Sequence, residues 1–162
     1  MYDINSLTES PVSALITPTS FASQYSESTE AAFLPSTFKF QKINSIIGSG
    51  NYLTIVINEI SNNVNIDGNY SKINVGLLND KSKNININTG YTNISLGYTT
   101  NYAFDFDINT KYANIKSDGS LEIAVNETKN NSKRISGFYK KKGQNKVIVN
   151  SNYGNVILVK KQ

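Results

Sequence analysis

A ten-residue phrase recurs four times in this chain and limits the fold more than any other feature. It reads IDGNYSKINV at 66–75, INTGYTNISL at 87–96, INTKYANIKS at 108–117 and VNSNYGNVIL at 149–158. We call each phrase a tyrosine line and name it by its tyrosine: Tyr70, Tyr91, Tyr112 or Tyr153. These tyrosines are 21, 21 and 41 residues apart. Self-similarity at a fixed period predicts a repeat architecture.

Apolar and polar residues alternate within each line, as they do in short β-strands. The alternation continues from Phe38 onward in FKFQKI, YLTIVI, AFDFDI, LEIAV and NVILV, with Asn, Asp, Gly and Ser between the segments. In this region no stretch of ten or more residues has a convincing helical period. The sequence therefore predicts an all-β fold.

The period also predicts how the strands stack. In a parallel β-solenoid, or β-helix, each coil returns to the same position one strand spacing higher, about 4.8 Å. With coils of about 21 residues, equivalent side chains form columns. One inward column is expected to contain Ile66, Ile87, Ile108 and Val149, and another Ile73, Ile94, Ile115 and Val156. The 41-residue interval predicts one divergent coil between the Tyr112 and Tyr153 lines.

Polar and aromatic residues fall into further columns. Asp67, Asn88, Asn109 and Asn150 coincide, as do Asn93, Asn114 and Asn155. Stacked amides can hydrogen-bond along such a column, and Asn at a corner accepts a left-handed backbone. The tyrosines form either a structural ladder or an aromatic strip that stacks on sugar rings. Tyr70, Tyr91, Tyr112 and Tyr153 are thus candidate ligand contacts, with Tyr52 as a weaker upstream copy.

Composition restricts the chemistry that the chain can perform. Its 162 residues include no Cys and no His, which removes the thiolate nucleophile, the commonest general base and the commonest transition-metal ligand. The neighbouring acids Asp105 and Asp107 are interpreted as residues of an exposed strand face, and Asp118, Glu122 and Glu127 as surface acids. We therefore predict a protein that is not an enzyme and that needs no metal and no cofactor.

Charge and composition divide the chain into two parts. Residues 1–37 are rich in Ser and Thr and hold all three prolines, which predicts a cap, a linker or a truncated preceding coil; residues 38–162 form the predicted solenoid domain. Beyond Glu127 every charged residue is basic. Lys140, Lys141 and Lys142 are expected to project from a loop, as a contact for an anionic partner or as edge protection. No nucleic-acid motif, signal peptide or membrane-spanning run is evident.

The phrases IDGNYSKINVGL, FDINTKYANIKSDGSLEIAV and KVIVNSNYGNVIL resemble the Tyr-Gly-Asp/Asn-Ile lines of an adhesin-like β-solenoid domain family of bacteria, common in the Bacteroidetes. The resemblance covers roughly residues 38–162. Only the Tyr153 line keeps the family's glycine, at Gly154; Ser71, Thr92 and Ala113 replace it elsewhere. The resemblance implies a right-handed solenoid that is exported to the cell envelope or beyond, although MYDINSLTES lacks the features of a signal peptide.

These observations favour a non-catalytic surface module that works as an adhesin or scaffold. Repeated weak contacts along a rigid face would supply its binding strength. Its expected partners are surface polysaccharide or another envelope protein, with no nucleic acid. Two alternatives stay open: a β-solenoid carbohydrate-active enzyme, or a structural subunit that docks through its open end.

Overall fold

The computed structural model describes residues 2–3, 13–16 and 36–161, and within them all regular structure is β-strand. The strands are β1 (Tyr2–Asp3), β2 (Ser13–Ile16), β3 (Ser36–Ile43), β4 (Ser45–Asn51), β5 (Leu53–Ile60), β6 (Val64–Asn69), β7 (Lys72–Leu78), β8 (Asn84–Gly90), β9 (Asn93–Thr99), β10 (Phe104–Lys111), β11 (Ile115–Ser117), β12 (Glu122–Lys129), β13 (Ser132–Tyr139), β14 (Asn145–Asn152) and β15 (Val156–Lys161). Most of the predicted N-terminal segment 1–37 lies outside the described residues. The described part of the chain contains no helix with the length and apolarity to cross a membrane.

Alternating side chains explain why these segments are strands. In β8, Ile85 and Ile87 are buried, whereas Asn84 is exposed and Asn86 is partly exposed. A strand points successive side chains to opposite faces, so this alternation gives one apolar face and one polar face. The all-β prediction is confirmed for the described residues.

The strands form two sheets, which contribute to one hydrophobic core. Sheet A has the order β1-β3-β5-β7-β9-β15-β11, and sheet B has the order β12-β13-β10-β14-β8-β6-β4-β2. Neighbouring strands pair in parallel, except that β13 is antiparallel to both β10 and β12. Within each tyrosine line, the chain passes from sheet B to sheet A at the tyrosine, for example from β6 to β7 at Tyr70.

The strand register confirms both predicted inward columns. Across sheet B the column reads Ile66, Ile87, Val149 and Ile108. Across sheet A it reads Ile73, Ile94, Val156 and Ile115. Seven of these side chains are at most 2% exposed, and Ile115 packs against the core from a partly buried position.

The predicted order of the lines is wrong at one point. The Tyr153 line lies between the Tyr91 and Tyr112 lines, because β14 pairs with both β8 and β10, and β15 pairs with both β9 and β11. The long interval contains an antiparallel hairpin, β12–β13, on the outer edge of β10, and no divergent coil. Asn130, with φ of 53°, and Asn131 form its turn. Because Asn accepts a left-handed backbone, a tight two-residue reversal is favoured there.

Candidate functional site

Five stacked tyrosines follow the corner between the two sheets, in the order Tyr52, Tyr70, Tyr91, Tyr153 and Tyr112. Adjacent ring centroids are 4.7–5.3 Å apart, and adjacent ring planes differ by 12° or less. Each tyrosine has a left-handed φ between 52° and 59°. Each backbone N–H donates to a carbonyl of the neighbouring line or, for Tyr112, of the hairpin turn. We call this set the tyrosine ladder.

The ladder corrects two predictions about the corners. Asn was expected to take the left-handed backbone, but the tyrosine does so at every line. That conformation costs a residue with a β-carbon about 1–2 kcal/mol, and a stacked aromatic pair contributes about 0.5–1.5 kcal/mol in return. Tyr52 is a regular member of the stack, with its ring centroid 5.3 Å from that of Tyr70.

The ladder limits what its inner rings can offer to a ligand. Tyr70, Tyr91 and Tyr153 each stack on two neighbours, so both faces of their rings are covered. About half of each residue is nevertheless exposed, at 51%, 51% and 49%. Tyr112 stacks on Tyr153, and Lys111 Nζ lies 5.6 Å from the Tyr112 ring centroid. A ligand can therefore reach the edges and hydroxyl groups of the inner rings, whereas a sugar ring can stack on them only if the ladder opens.

In each tyrosine line, the residue three positions before the tyrosine in the sequence lies on the outer face of sheet B, and three of these four residues are Asn. The predicted column is in register in the order Asp67, Asn88, Asn150 and Asn109. Asn109 Nδ2 donates to Asn150 Oδ1 at 3.2 Å, and Asn150 Nδ2 donates to Asn88 Oδ1 at 2.8 Å. We use the name amide face for Asp67, Asn69, Asn88, Asn109, Asn150 and Asn152.

Two shallow depressions meet on the amide face. One extends over Asp67 and Asn88, the other extends over Asn109 towards Arg134, and both include Asn150 and Asn152. Small molecules are usually held in enclosed and largely apolar clefts. An open polar surface of this kind instead suits an extended polymer that lies across several strands.

An ion pair borders the amide face. Arg134 Nε and Nη2 donate to the two carboxylate oxygens of Asp107 at 3.1 and 2.8 Å. These hydrogen bonds from Arg134 hold the pKa of the Asp107 carboxyl below its ordinary value, because a bound cation favours the ionised form. Asp107 is therefore an ionised hydrogen-bond acceptor at neutral pH.

The Asp107→Asn variant is expected to melt at a lower temperature than the parent at neutral pH, with a difference that shrinks as the solution is acidified. A carboxyl whose folded-state pKa is depressed stabilises the fold above its unfolded-state pKa, and this stabilisation is lost as the pH falls through the folded-state pKa. Circular dichroism melts between neutral and acidic pH measure the effect. Asp67→Asn is the matched control, since Asp67 makes no ion pair within the described residues. An identical pH profile for the two variants would contradict the assignment.

The three predicted lysines lie together in the exposed turn between β13 and β14. This turn crosses the start of β10, because β13 and β14 lie on opposite sides of that strand. Asp105 anchors the turn by accepting the N–H of Gly143, at 3.1 and 3.0 Å. Lys140, Lys141 and Lys142 thus lie at the opposite end of β10 from the tyrosine ladder, and the structure does not bring the two groups of candidates together.

Of the remaining acids that the sequence singled out, Asp118 is held by hydrogen bonds, whereas Glu122 and Glu127 lie exposed on β12. Asp118 accepts hydrogen bonds from the Ser120 hydroxyl, from the backbone N–H of Lys160 and of Ser120, and from the Tyr98 hydroxyl. Burial acts to raise the pKa of Asp118, but these hydrogen bonds outweigh it and the pKa is lowered. Among the described residues, no group of three or more His, Cys, Asp or Glu is arranged to hold a metal ion.

No family model, curated protein or solved structure matches this chain.

Proposed function

We propose that the chain is a parallel β-solenoid that serves as a non-catalytic, adhesin-like scaffold of the bacterial cell envelope and contacts surface polysaccharide through its amide face. The observation that carries this proposal is the hydrogen-bonded row of Asn88, Asn150 and Asn109, which repeats one chemical group from strand to strand. The parallel register of the tyrosine lines supports the solenoid interpretation. The resemblance to exported adhesin-like domains supports the location.

Amide side chains suit the hydroxyl groups of a polysaccharide because an amide has two N–H donors and an oxygen with two lone pairs. Both N–H groups of Asn109 are already used, on Asp107 and Asn150, so Asn109 offers its oxygen to a ligand. Asn150 uses one N–H, on Asn88, and keeps the other for a ligand. Adjacent strands lie about 4.8 Å apart, so the row presents equivalent groups at short and regular intervals. One such hydrogen bond contributes only about 0.5–1.5 kcal/mol. Binding strength would therefore come from several contacts made at once along a polymer.

The surroundings of the acids support a binding role over a catalytic one. Asp107 is held by Arg134, and Asp105 anchors the turn at Gly143. Glycosidases commonly use two carboxyl groups that face the scissile bond, one of them with a raised pKa. The lowered pKa of Asp107 is the opposite of what a general acid requires.

The amide face can be tested by affinity electrophoresis in native gels that contain soluble polysaccharides, neutral ones and uronic-acid polymers. The triple variant Asn88→Ala, Asn109→Ala, Asn150→Ala should lose at least about tenfold in affinity for any polysaccharide that retards the parent, since three weak hydrogen bonds are removed. A matched triple variant on the outer face of sheet A, Asn58→Ala, Asn74→Ala, Asn93→Ala, should bind like the parent.

Three results would contradict the proposal. The first is equal affinity of the two triple variants, and the second is a panel in which no polysaccharide retards the parent. The third result is turnover of a uronic-acid polymer that disappears in Asp105→Ala or Asp107→Ala, which would favour the carbohydrate-active enzyme instead. Melting curves of all variants show whether each substituted protein is folded.

A further inference from the structure

Strands β14 and β15, which come last among the described strands, lie at interior positions of the two sheets and at neither edge. We call residues 145–161, which contain β14 and β15, the inserted segment. In sheet B the segment lies between β8 and β10, and in sheet A it lies between β9 and β11. The remainder of the chain thus leaves a slot one strand wide in each sheet, and the inserted segment pairs with both sides of both slots.

The slot binds its occupant through core contacts and a close steric fit. Val147, Val149 and Val156 are fully buried, and Leu158 is 1% exposed. A β-carbon built at Gly154 would lie 1.9 Å from the Thr92 carbonyl oxygen, so this position of the slot accepts only glycine without rearrangement. The slot therefore recognises a particular sequence, the one that every copy of this chain carries.

Within the described residues, one exposed turn connects the inserted segment to the preceding strand β13. Residues 140–144 run from the end of β13 to the start of β14, over the first residues of β10. Lys140 and Gly143 have φ of 62° and 73°, and the Asp105 carboxylate holds the Gly143 N–H. If these five residues adopted an extended conformation, they would span about 17 Å. Opening this turn would release the segment while leaving its own sequence unchanged.

We propose that the inserted segment is exchangeable, so that a second copy of this chain can fill the slot with its own residues 145–161. The exchanged segment would make the same core contacts, the same register and the same tyrosine stacking as the original. The monomer and the exchanged dimer therefore differ only in the conformation of the turn and in the entropy of association. Such a small difference is the usual basis of domain swapping. The proposal is independent of the polysaccharide proposal, but it adds to it: an exchanged dimer would carry two amide faces and bind with higher avidity.

The order of folding favours exchange at high protein concentration. The Tyr91 and Tyr112 lines must be held two strand spacings apart, roughly 9–10 Å, before the inserted segment can enter. Until it does, strand edges of β8, β9, β10 and β11 are unpaired, and unpaired edges readily accept strands from other chains. A second chain's segment then competes with the chain's own segment in proportion to protein concentration.

Disulfide trapping between full-length chains tests this directly, because the chain has no cysteine of its own. Thr89 lines the slot and Ser151 belongs to the inserted segment; their hydroxyl oxygens are 3.5 Å apart and both residues are buried. Adjacent parallel strands have the spacing that a disulfide needs. Chains with Thr89→Cys and chains with Ser151→Cys are unfolded together, refolded together and oxidised. We expect a cross-linked heterodimer whose yield rises roughly in proportion to protein concentration.

Two controls identify the cause of any cross-link. The double variant Thr89→Cys/Ser151→Cys should close its disulfide within one chain at low concentration. The matched pair Ser71→Cys and Thr92→Cys, whose residues are in contact on neighbouring lines of the N-terminal side, should give no heterodimer. A separate test needs no substitution. Isotope-labelled and unlabelled wild-type chains are refolded together, and we expect native mass spectrometry to detect a mixed dimer.

The proposal is overturned if the heterodimer is missing at every concentration at which the double variant closes its disulfide. It is equally overturned if the Ser71/Thr92 control pair cross-links as well as the test pair, or if wild-type chains refold only to monomers at high concentration. Because none of these readouts involves polysaccharide, failure here and failure of the proposed function can be told apart.

Discussion

The Ile87→Asp variant is expected to be unfolded at room temperature. Ile87 is fully buried in the middle of an inward column, with Ile66 and Val149 as its register neighbours. An unpaired carboxylate there costs several kcal/mol even after relaxation, and the lost apolar packing adds about 2–5 kcal/mol. Together these approach or exceed the roughly 5–15 kcal/mol of stability typical of a domain. Far-UV circular dichroism and a thermal melt measure the outcome.

The neighbouring substitution Asn88→Asp is the control for Ile87→Asp. Asn88 lies on the outer face and accepts a hydrogen bond from Asn150 through Oδ1, which an aspartate retains. The new carboxylate lies opposite Asp67 on the solvated outer face, where such a like-charge pair costs up to about 1 kcal/mol, so this variant should still melt within a few degrees of the parent. If Ile87→Asp melts like Asn88→Asp, the inward orientation of the column is wrong.

The Gly154→Ala variant is expected to lose about 3 kcal/mol of stability, at the upper end of the usual cost of overpacking. The added β-carbon would lie 1.9 Å from the Thr92 carbonyl oxygen and 2.5 Å from the Thr92 carbonyl carbon. Both atoms belong to the backbone of the adjacent line, so the clash cannot be relieved by turning a side chain. Urea unfolding of the variant and the parent measures the difference in free energy.

Gly119→Ala separates steric overlap from the general cost of replacing glycine. A β-carbon at Gly119 meets nothing within 4 Å, but its φ is +81°, so only the backbone conformation disfavours alanine. That cost is about 1–2 kcal/mol. A loss at Gly154 no larger than the loss at Gly119 would contradict the tight fit of the inserted segment against the Tyr91 line.

The local pattern of the sequence predicts the strands and the inward columns well. Ile87 and Ile94 are buried because alternation and the 21-residue spacing determine both the facing and the register of a strand. The amide row was predictable for the same reason, since Asn88 and Asn150 occupy equivalent positions in their lines. Short-range periodicity carries this information directly.

The order of the lines was not predictable from that periodicity. Parallel lines with similar sequences fit side by side in any order, so the spacing alone places the Tyr153 line after the Tyr112 line. The local signal for the actual arrangement is the pair Asn130 and Asn131, which marks a tight reversal. Gly154 is a second signal: of the lines, the inserted one alone has no β-carbon after its tyrosine.

Two features of the candidate site depend on tertiary structure that the sequence pattern does not encode. Asp107 and Arg134 are 27 residues apart, and only the antiparallel pairing of β13 with β10 brings them together. The left-handed tyrosines also differ from ordinary backbone preference, which assigns such corners to Gly or Asn. Stacking between lines stabilises them, and a single line contains no sign of it.

The place of Tyr153 within the ladder also gives the molecule a built-in optical signal. Of the four ring contacts between members of the tyrosine ladder, the two that involve Tyr153 exist only while residues 145–161 are in place. Electronic transitions of stacked phenol rings couple to one another, and the chain has no tryptophan to obscure their near-ultraviolet bands. Near-ultraviolet dichroism therefore reports, without any label, whether residues 145–161 occupy their place between the Tyr91 and Tyr112 lines.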